Sequence, residues 1–139
     1  MNTLNRAKQL QARTKRFAVR IIKAFARPPK DEATRIVGRQ FLRSGTSLAV
    51  NYRASCHARS NADFISKISV LTEEADETLF WFEVLVESDL IRLKIVESLM
   101  LECEELLKIF SSSLVTAKSN RKSLNLFTSA AASPLESYA

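Results

Sequence analysis

The stretch TEEADETLFW puts Glu73, Glu74 and Glu77 close together. On a helix, residues three and four apart share a face, and carboxylates on one face can hold a hard divalent cation. Glu102 and Glu105 repeat the spacing later in the chain and can supply a second acidic pair. The chemistry would be Mg-dependent cleavage of a nucleotide. The pattern is common on exposed helices, however, and Leu79, Phe80 and Trp81 follow it at once. A structural reading is more economical. Arg35, Arg39 and Arg43 lie on one stripe of an earlier helix, and Asp63, Lys67, Glu74, Glu77 and Trp81 lie on one stripe of the helix carrying the acids. If these helices cross, Arg43 can pair with Glu74 or Glu77. Ser44, Thr46, Ser47 and Asn51 supply short polar groups nearby.

Other routes to chemistry fail on residue counts. The chain has a single histidine, His57. A di-iron helical bundle needs two Glu-x-x-His pairs, and a zinc site needs more ligands than adjacent Cys56 and His57 provide. Neighbouring helical residues do not face each other, so these two do not form a nucleophile–base pair either. No catalytic residue, metal or cofactor is expected.

Charge carries a stronger signal. The net charge is +6, unevenly spread. Residues 1–30 hold nine Lys or Arg and no acid, whereas residues 61–117 hold four bases and twelve acids. Arg13, Arg16, Arg20, Lys23 and Arg27 recur at three- and four-residue spacing and form one basic stripe, suited to phosphate. Phe17 and Phe25 read as core, so binding to RNA or DNA would rest on phosphate contacts, without base readout. The competing reading is that the stripe neutralises acidic helices within the bundle or on another subunit.

The elements that must position these residues are helices. A chain of 139 residues with 46% hydrophobic and 26% charged residues is one globular domain, and two glycines with three prolines leave little for turns. Apolar spacing predicts helices over about 3–26, 31–57, 60–88 and 92–117. Pro28-Pro29 ends the first, and Ser60 with Asp63 resembles a capping box for the third. Phe64, Ile68, Leu71, Ala75, Thr78, Phe82 and Leu85 keep a heptad register. The fold class is all-α, an antiparallel up-down-up-down four-helix bundle over residues 1–118. Gly45, costly in a helix by about 1 kcal/mol, is expected to admit a neighbouring helix closely. Residues 119–139, rich in Ser and Ala, read as a mobile tail. Ile65, Leu79, Trp81, Ile95 and Ile109 exceed the needs of one core and predict a homo-oligomer. No apolar run reaches a membrane span and no signal core is present, so a cytoplasmic protein is expected.

The segments RTKRFAVRIIKAF, RSGTS with Asn51, SNADFISK, and EADET followed by Trp81 together resemble the 23S rRNA intervening sequence protein family. The family is related to the accessory protein of diversity-generating retroelements, a basic pentamer that works with a reverse transcriptase and nucleic acid. The resemblance implies a four-helix bundle assembled as a homopentamer and no established catalytic activity. It places Arg43, Ser44, Asn51, Asp63, Lys67, Glu74, Glu77 and Trp81 on the family's shared motif, with a structural role.

The function expected is therefore that of a non-enzymatic homo-oligomeric bundle associating with RNA or DNA through its basic surface. A protein-interaction scaffold without nucleic acid is the alternative. An all-α nucleotide pyrophosphohydrolase, whose EExxE pattern the acids of residues 73–77 resemble, stands third.

Overall fold

In the computed structural model the described residues are 2–28 and 30–136, with side chains described to Leu126. They form four helices: α1 (Thr3–Ala24), α2 (Glu32–Ser55), α3 (Asn61–Glu87) and α4 (Leu93–Glu136). The first three begin on side-chain caps. Asn2 Oδ1 accepts from the Asn5 amide at 2.9 Å, Asp31 Oδ1 from Thr34 at 2.7 Å, and Ser60 Oγ from Asp63 at 3.0 Å. Asp63 in turn accepts the amide of Arg59, the residue before the cap, at 3.0 Å. Residues 31, 60 and 88, expected inside helices, are the caps themselves. At the end of α1 the Phe25 and Ala26 amides bond three residues back, to Ile22 and Lys23. That tighter turn ends the helix two residues sooner than predicted.

The α3–α4 link is a Schellman turn. Asp89 adopts the left-handed conformation (φ 58°), the Leu90 amide reaches back to Leu85 O at 3.0 Å and the Asp89 amide to Val86 O at 3.1 Å. Leu90 then packs on the core cluster that contains Leu85.

Cross-helix contacts establish the antiparallel order. Gly38 meets Phe25 and Gly45 meets Ile21; Arg43 reaches Glu77 and Ser47 reaches Glu74; Arg13 reaches Glu102 and Arg20 reaches Ser98. Each sequential pair runs in opposite senses, and α1 closes on α4. The α1–α4 contact is sparse, whereas α3 packs fully on both α2 and α4, and α2 and α4 stand diagonally.

The core follows the heptad reading. Ile68, Leu71, Ala75, Thr78, Phe82 and Leu85 of α3 are buried, facing Phe17 and Ile21, Phe41, Leu48 and Tyr52, and Val96, Leu99, Cys103, Leu106 and Phe110. One pole is knit by aromatic rings, Phe25 to Phe41 at 5.2 Å and Phe41 to Phe82 at 4.7 Å; towards the other pole Tyr52 stacks on Phe110 at 6.0 Å. Buried Thr14 and Thr78 donate their hydroxyls to carbonyls one turn back, at 2.8 and 2.7 Å, and no buried side-chain nitrogen or oxygen is orphaned among the described residues.

Two expectations are corrected. Helix α4 does not stop at residue 117 but continues to Glu136. Serine, asparagine, lysine, leucine and alanine tolerate helix, and no glycine or proline intervenes before Pro134. Ala117 is the last buried residue described, and positions 118–126 are all exposed. At 1.5 Å per residue the helix runs roughly 28 Å further. The second correction concerns the surplus apolar residues. Ile65 is buried within the chain, and Leu79, Trp81 and Ile109 pack against its core; of the five, Ile95 alone is largely exposed.

Candidate nucleic-acid interface

The basic stripe occupies the flank of α1 that turns towards α4. Helix α1 buries Thr14, Phe17 and Ile21, and its rotation is set by Ile21 lying against Gly45. A Cβ on Gly45 would stand only 3.0–3.1 Å from three carbons of Ile21, which explains the absence of a side chain there. That orientation carries the arginines onto the α4 side. Arg13 is drawn into the structure. Its Nε donates to both Glu102 oxygens at 3.1 and 2.9 Å, and its Nη2 to Oε1 at 2.6 Å. The carboxylate raises the guanidinium pKa above its usual value. Arg20 donates to Ser98 Oγ, a neutral partner, and has no ion pair among the described residues. Arg16, Lys23 and Arg27 are exposed and have no ion pair among the described residues.

The stripe continues where the sequence alone did not point. The α1–α2 hairpin folds Arg35 and Arg39 back beside Arg27, around a recess of about 240 Å³ floored by Phe25 and Gly38. Arg35 is paired with Glu32 one turn earlier, and Arg39 has no ion pair among the described residues. On the neighbouring side, Lys23, Arg27 and Lys30 edge a second cleft of about 580 Å³ that also holds Asp31 and Asp89. Only the hairpin geometry joins these α2 residues to the α1 stripe.

The motif residues gather at the α2–α3 seam. Arg43 donates to Glu77 and, at 3.5 Å, to Glu74, while its Nε reaches Gln40 at 3.3 Å. Ser47 Oγ donates to Glu74 at 3.1 Å and Trp81 Nε1 to Glu77 at 3.3 Å. Both glutamates expected to meet Arg43 do so. Arg43 and then Trp81 hold the Glu77 carboxyl below its usual range, burial working the other way. Lys67 Nζ grips both Asp63 oxygens at 2.6 and 2.7 Å and lowers that carboxyl too. Ser44 is fully buried and bonds to Phe41 O; Asn51 is half-buried two turns beyond it. Glu73 faces solvent and Glu102 is held by Arg13, so the acids of the cation reading are not brought together. Among the described residues no group of three or more His, Cys, Asp or Glu is placed to hold a metal. No described helix is long and apolar enough to cross a membrane.

A family model for the 23S rRNA-intervening sequence protein matches residues 7–112. The chain belongs to that family. The matched span covers the basic stripe and the α2–α3 seam and ends before α4 leaves the bundle. A crystal structure from Bacteroides thetaiotaomicron, of a protein of unknown function in the S23 ribosomal protein family, is 32% identical. The likeness spans 76% of this chain and 97% of that one, with a TM-score of 0.69. No curated protein matches. Family membership therefore gives the fold and leaves the activity open.

Proposed function

We propose that the protein is a non-enzymatic, cytoplasmic, homo-oligomeric helical bundle that associates with RNA or DNA through the α1 stripe. The observation that carries this reading is that Arg16, Arg20 and Lys23 on one flank of α1, and Arg27 just beyond its end, form no ion pair among the described residues. Such a row meets the phosphate backbone without selecting bases. Arg13 serves the fold by pairing with Glu102 and stands outside the contact set. The two thiols, Cys56 and Cys103, are both free, in keeping with a reducing compartment.

Homo-oligomerisation, with a pentamer as the specific expectation, is supported by exposed apolar side chains on several helices. Val50 of α2 and Val70 of α3 stand further along the flank of the Arg43–Glu77 pair, and Phe80 and Ile95 are at least half exposed. These residues also favour the second reading, an interaction scaffold without nucleic acid. The pyrophosphohydrolase reading has least support, because Arg43 already engages Glu74 and Glu77.

Fluorescence anisotropy with a labelled RNA and a labelled duplex DNA, at about 50 and 200 mM salt, separates the first two. Four phosphate contacts predict a log–log salt slope of about −3 to −4 on duplex, or roughly 100-fold weaker binding across that range. Absence of binding at the lower salt leaves the scaffold. Light scattering of the same samples gives the number of subunits.

A further inference from the structure

At the pole opposite Phe25 and Arg27, helices α1 and α4 part and open a cleft of about 820 Å³ that the basic-stripe reading does not use. Its floor is apolar: Leu10 of α1, Tyr52 of α2, Phe64 and Ile68 of α3, and Ile109 of α4. Ile68 is 1% and Tyr52 8% exposed, so the cleft reaches down to the core. Its rim is cationic. Arg6 comes from the first turn of α1, Arg59 from the α2–α3 link and Lys108 from α4, and no acidic side chain lines the space. None of the three has an ion pair among the described residues. The N-termini of α1 and α3 open at the same pole and add to the positive field.

We propose that this cleft binds a small amphiphilic anion, an aliphatic or aryl body carrying one carboxylate, sulfate or phosphate head. The volume falls within the few hundred to about 1,000 Å³ usual for small-molecule sites, and the combination of apolar wall with a few converging polar groups is the usual one. The body replaces water on the floor, and the head meets cations that form no ion pair among the described residues, with Asp63 the nearby acid that acts on Arg59 from beyond the lining. No Asn, Gln, Asp or Glu lines the wall to read the edge of a nucleobase. The link through Ala58, Arg59 and Ser60 closes one end, which suits a ligand that terminates there rather than a helix passing through. The proposal is independent of nucleic-acid binding by the α1 stripe.

The chain carries its own reporter. Cys56 lines the cleft and is partly exposed. Cys103 is fully buried, donates to Ala75 O at 3.5 Å, and has its pKa pushed up to about 12 by burial, so it stays silent. The experiment follows iodoacetamide alkylation of the full-length protein by intact mass while decanoate is titrated below its micellar range. The expected result is saturable protection of Cys56, at least tenfold, with Cys103 unmodified throughout as evidence that the bundle stays folded. Decyltrimethylammonium at equal concentration gives no protection. The double variant Arg59→Glu, Lys108→Glu, with protection read as the ratio to its own ligand-free alkylation rate because the new carboxylates disfavour the Cys56 thiolate, loses protection by decanoate. Four results overturn the proposal: no protection by decanoate, equal protection by the cationic amphiphile, protection that survives in the double variant, or protection by a short oligonucleotide in place of decanoate. Protection that grows with protein concentration alone assigns the cleft to a second copy and also overturns it.

Discussion

The two flanks of α1 and α2 use arginine in opposite ways. On the α2–α3 seam the half-exposed Arg43 donates to two glutamates and Gln40, and Ser47 and Trp81 donate to the same two glutamates. On the α1–α4 flank Arg13 alone finds a carboxylate among the described residues, while Arg16, Lys23 and Arg27 are exposed. The helix contacts differ in the same direction, intimate between α2 and α3 and sparse between α1 and α4. A cation inside a closed hydrogen-bonded network fixes the register of two helices. A row of cations without acceptors does nothing for the fold and remains available to an external anion. Residue type does not distinguish these roles; the neighbours supplied by the opposing helix do.

The largest effect that tests the contrast is on binding. The triple variant Arg16→Glu, Lys23→Glu, Arg27→Glu is expected to bind RNA at least roughly 100-fold more weakly at low salt, because three phosphate contacts become repulsions. Its melting temperature should stay within about 2 °C of the native value, since none of the three side chains makes an ion pair among the described residues. Replacing Arg43 by Ala should leave RNA affinity unchanged. Anisotropy and thermal melts on both proteins check the pair, and a large loss of affinity in the Arg43 variant would erase the distinction between the flanks.

Next in size is the seat of α1 itself. Gly45→Ala improves helix propensity by about 1 kcal/mol, but its methyl would press on Ile21, which is fully buried and held from all sides. Overpacking of this kind costs about 1–3 kcal/mol. The expected balance is a loss of about 1 kcal/mol, or roughly 3 °C in melting temperature. At Gly38 the added methyl would meet the Phe25 ring at 2.7 Å, a closer approach. Phe25, however, is half-buried beyond the end of α1 and its ring can swing aside. Gly38→Ala should therefore cost less than Gly45→Ala in urea denaturation, despite the shorter distance; the reverse order would show that Phe25 is the firmer anchor.

Much of this contrast is legible in the amino-acid sequence, for physical reasons that also mark where legibility ends. The α3 heptad from Phe64 to Leu85 names its buried face because a helix packed on two neighbours must keep one continuous apolar stripe. Arg43 and its glutamates can be paired because adjacent helices in an up-down bundle run antiparallel, so two polar stripes have one crossing level. Arg13 cannot be assigned to Glu102 in this way. The pairing depends on how far α1 is rotated against α4, and that rotation is set by Ile21 on Gly45, a contact that α1 makes with α2. The continuation of α4 past Ala117 is hidden because periodicity reports a helix only where it faces a core. Ile65 read as surplus for the same reason: an apolar residue beside the main seam is inside or outside according to where the neighbouring helix lies. The cleft at Tyr52 exists because α1 and α4 part, and no single stretch encodes that divergence.

The smallest expected effect is also the one that compares the two ion pairs directly. Glu77 is held below its usual value by Arg43 and Trp81, so its folded pKa lies below its unfolded one. Such a carboxylate contributes stability in full above the usual glutamate value of about 4.5 and loses it as the pH falls through the lower, folded value. The pair is partly exposed, with Arg43 near one-half and Glu77 near one-third accessible, so solvent screening leaves the contribution below about 1 kcal/mol. Glu77→Gln should therefore lower stability slightly at pH 7 and flatten its decline below pH 4.5. In Glu102→Gln the amide oxygen can still accept from Arg13 and only the bidentate charge is lost. Its cost should be about 0.5 kcal/mol, and α1 should remain seated through Ile21 and Phe17. Urea denaturation of both variants at pH 7 and pH 3.5 measures the difference. If Glu102→Gln proves the more damaging, the α1–α4 flank is held by its charges after all, and the stripe beside it belongs to the fold rather than to a partner.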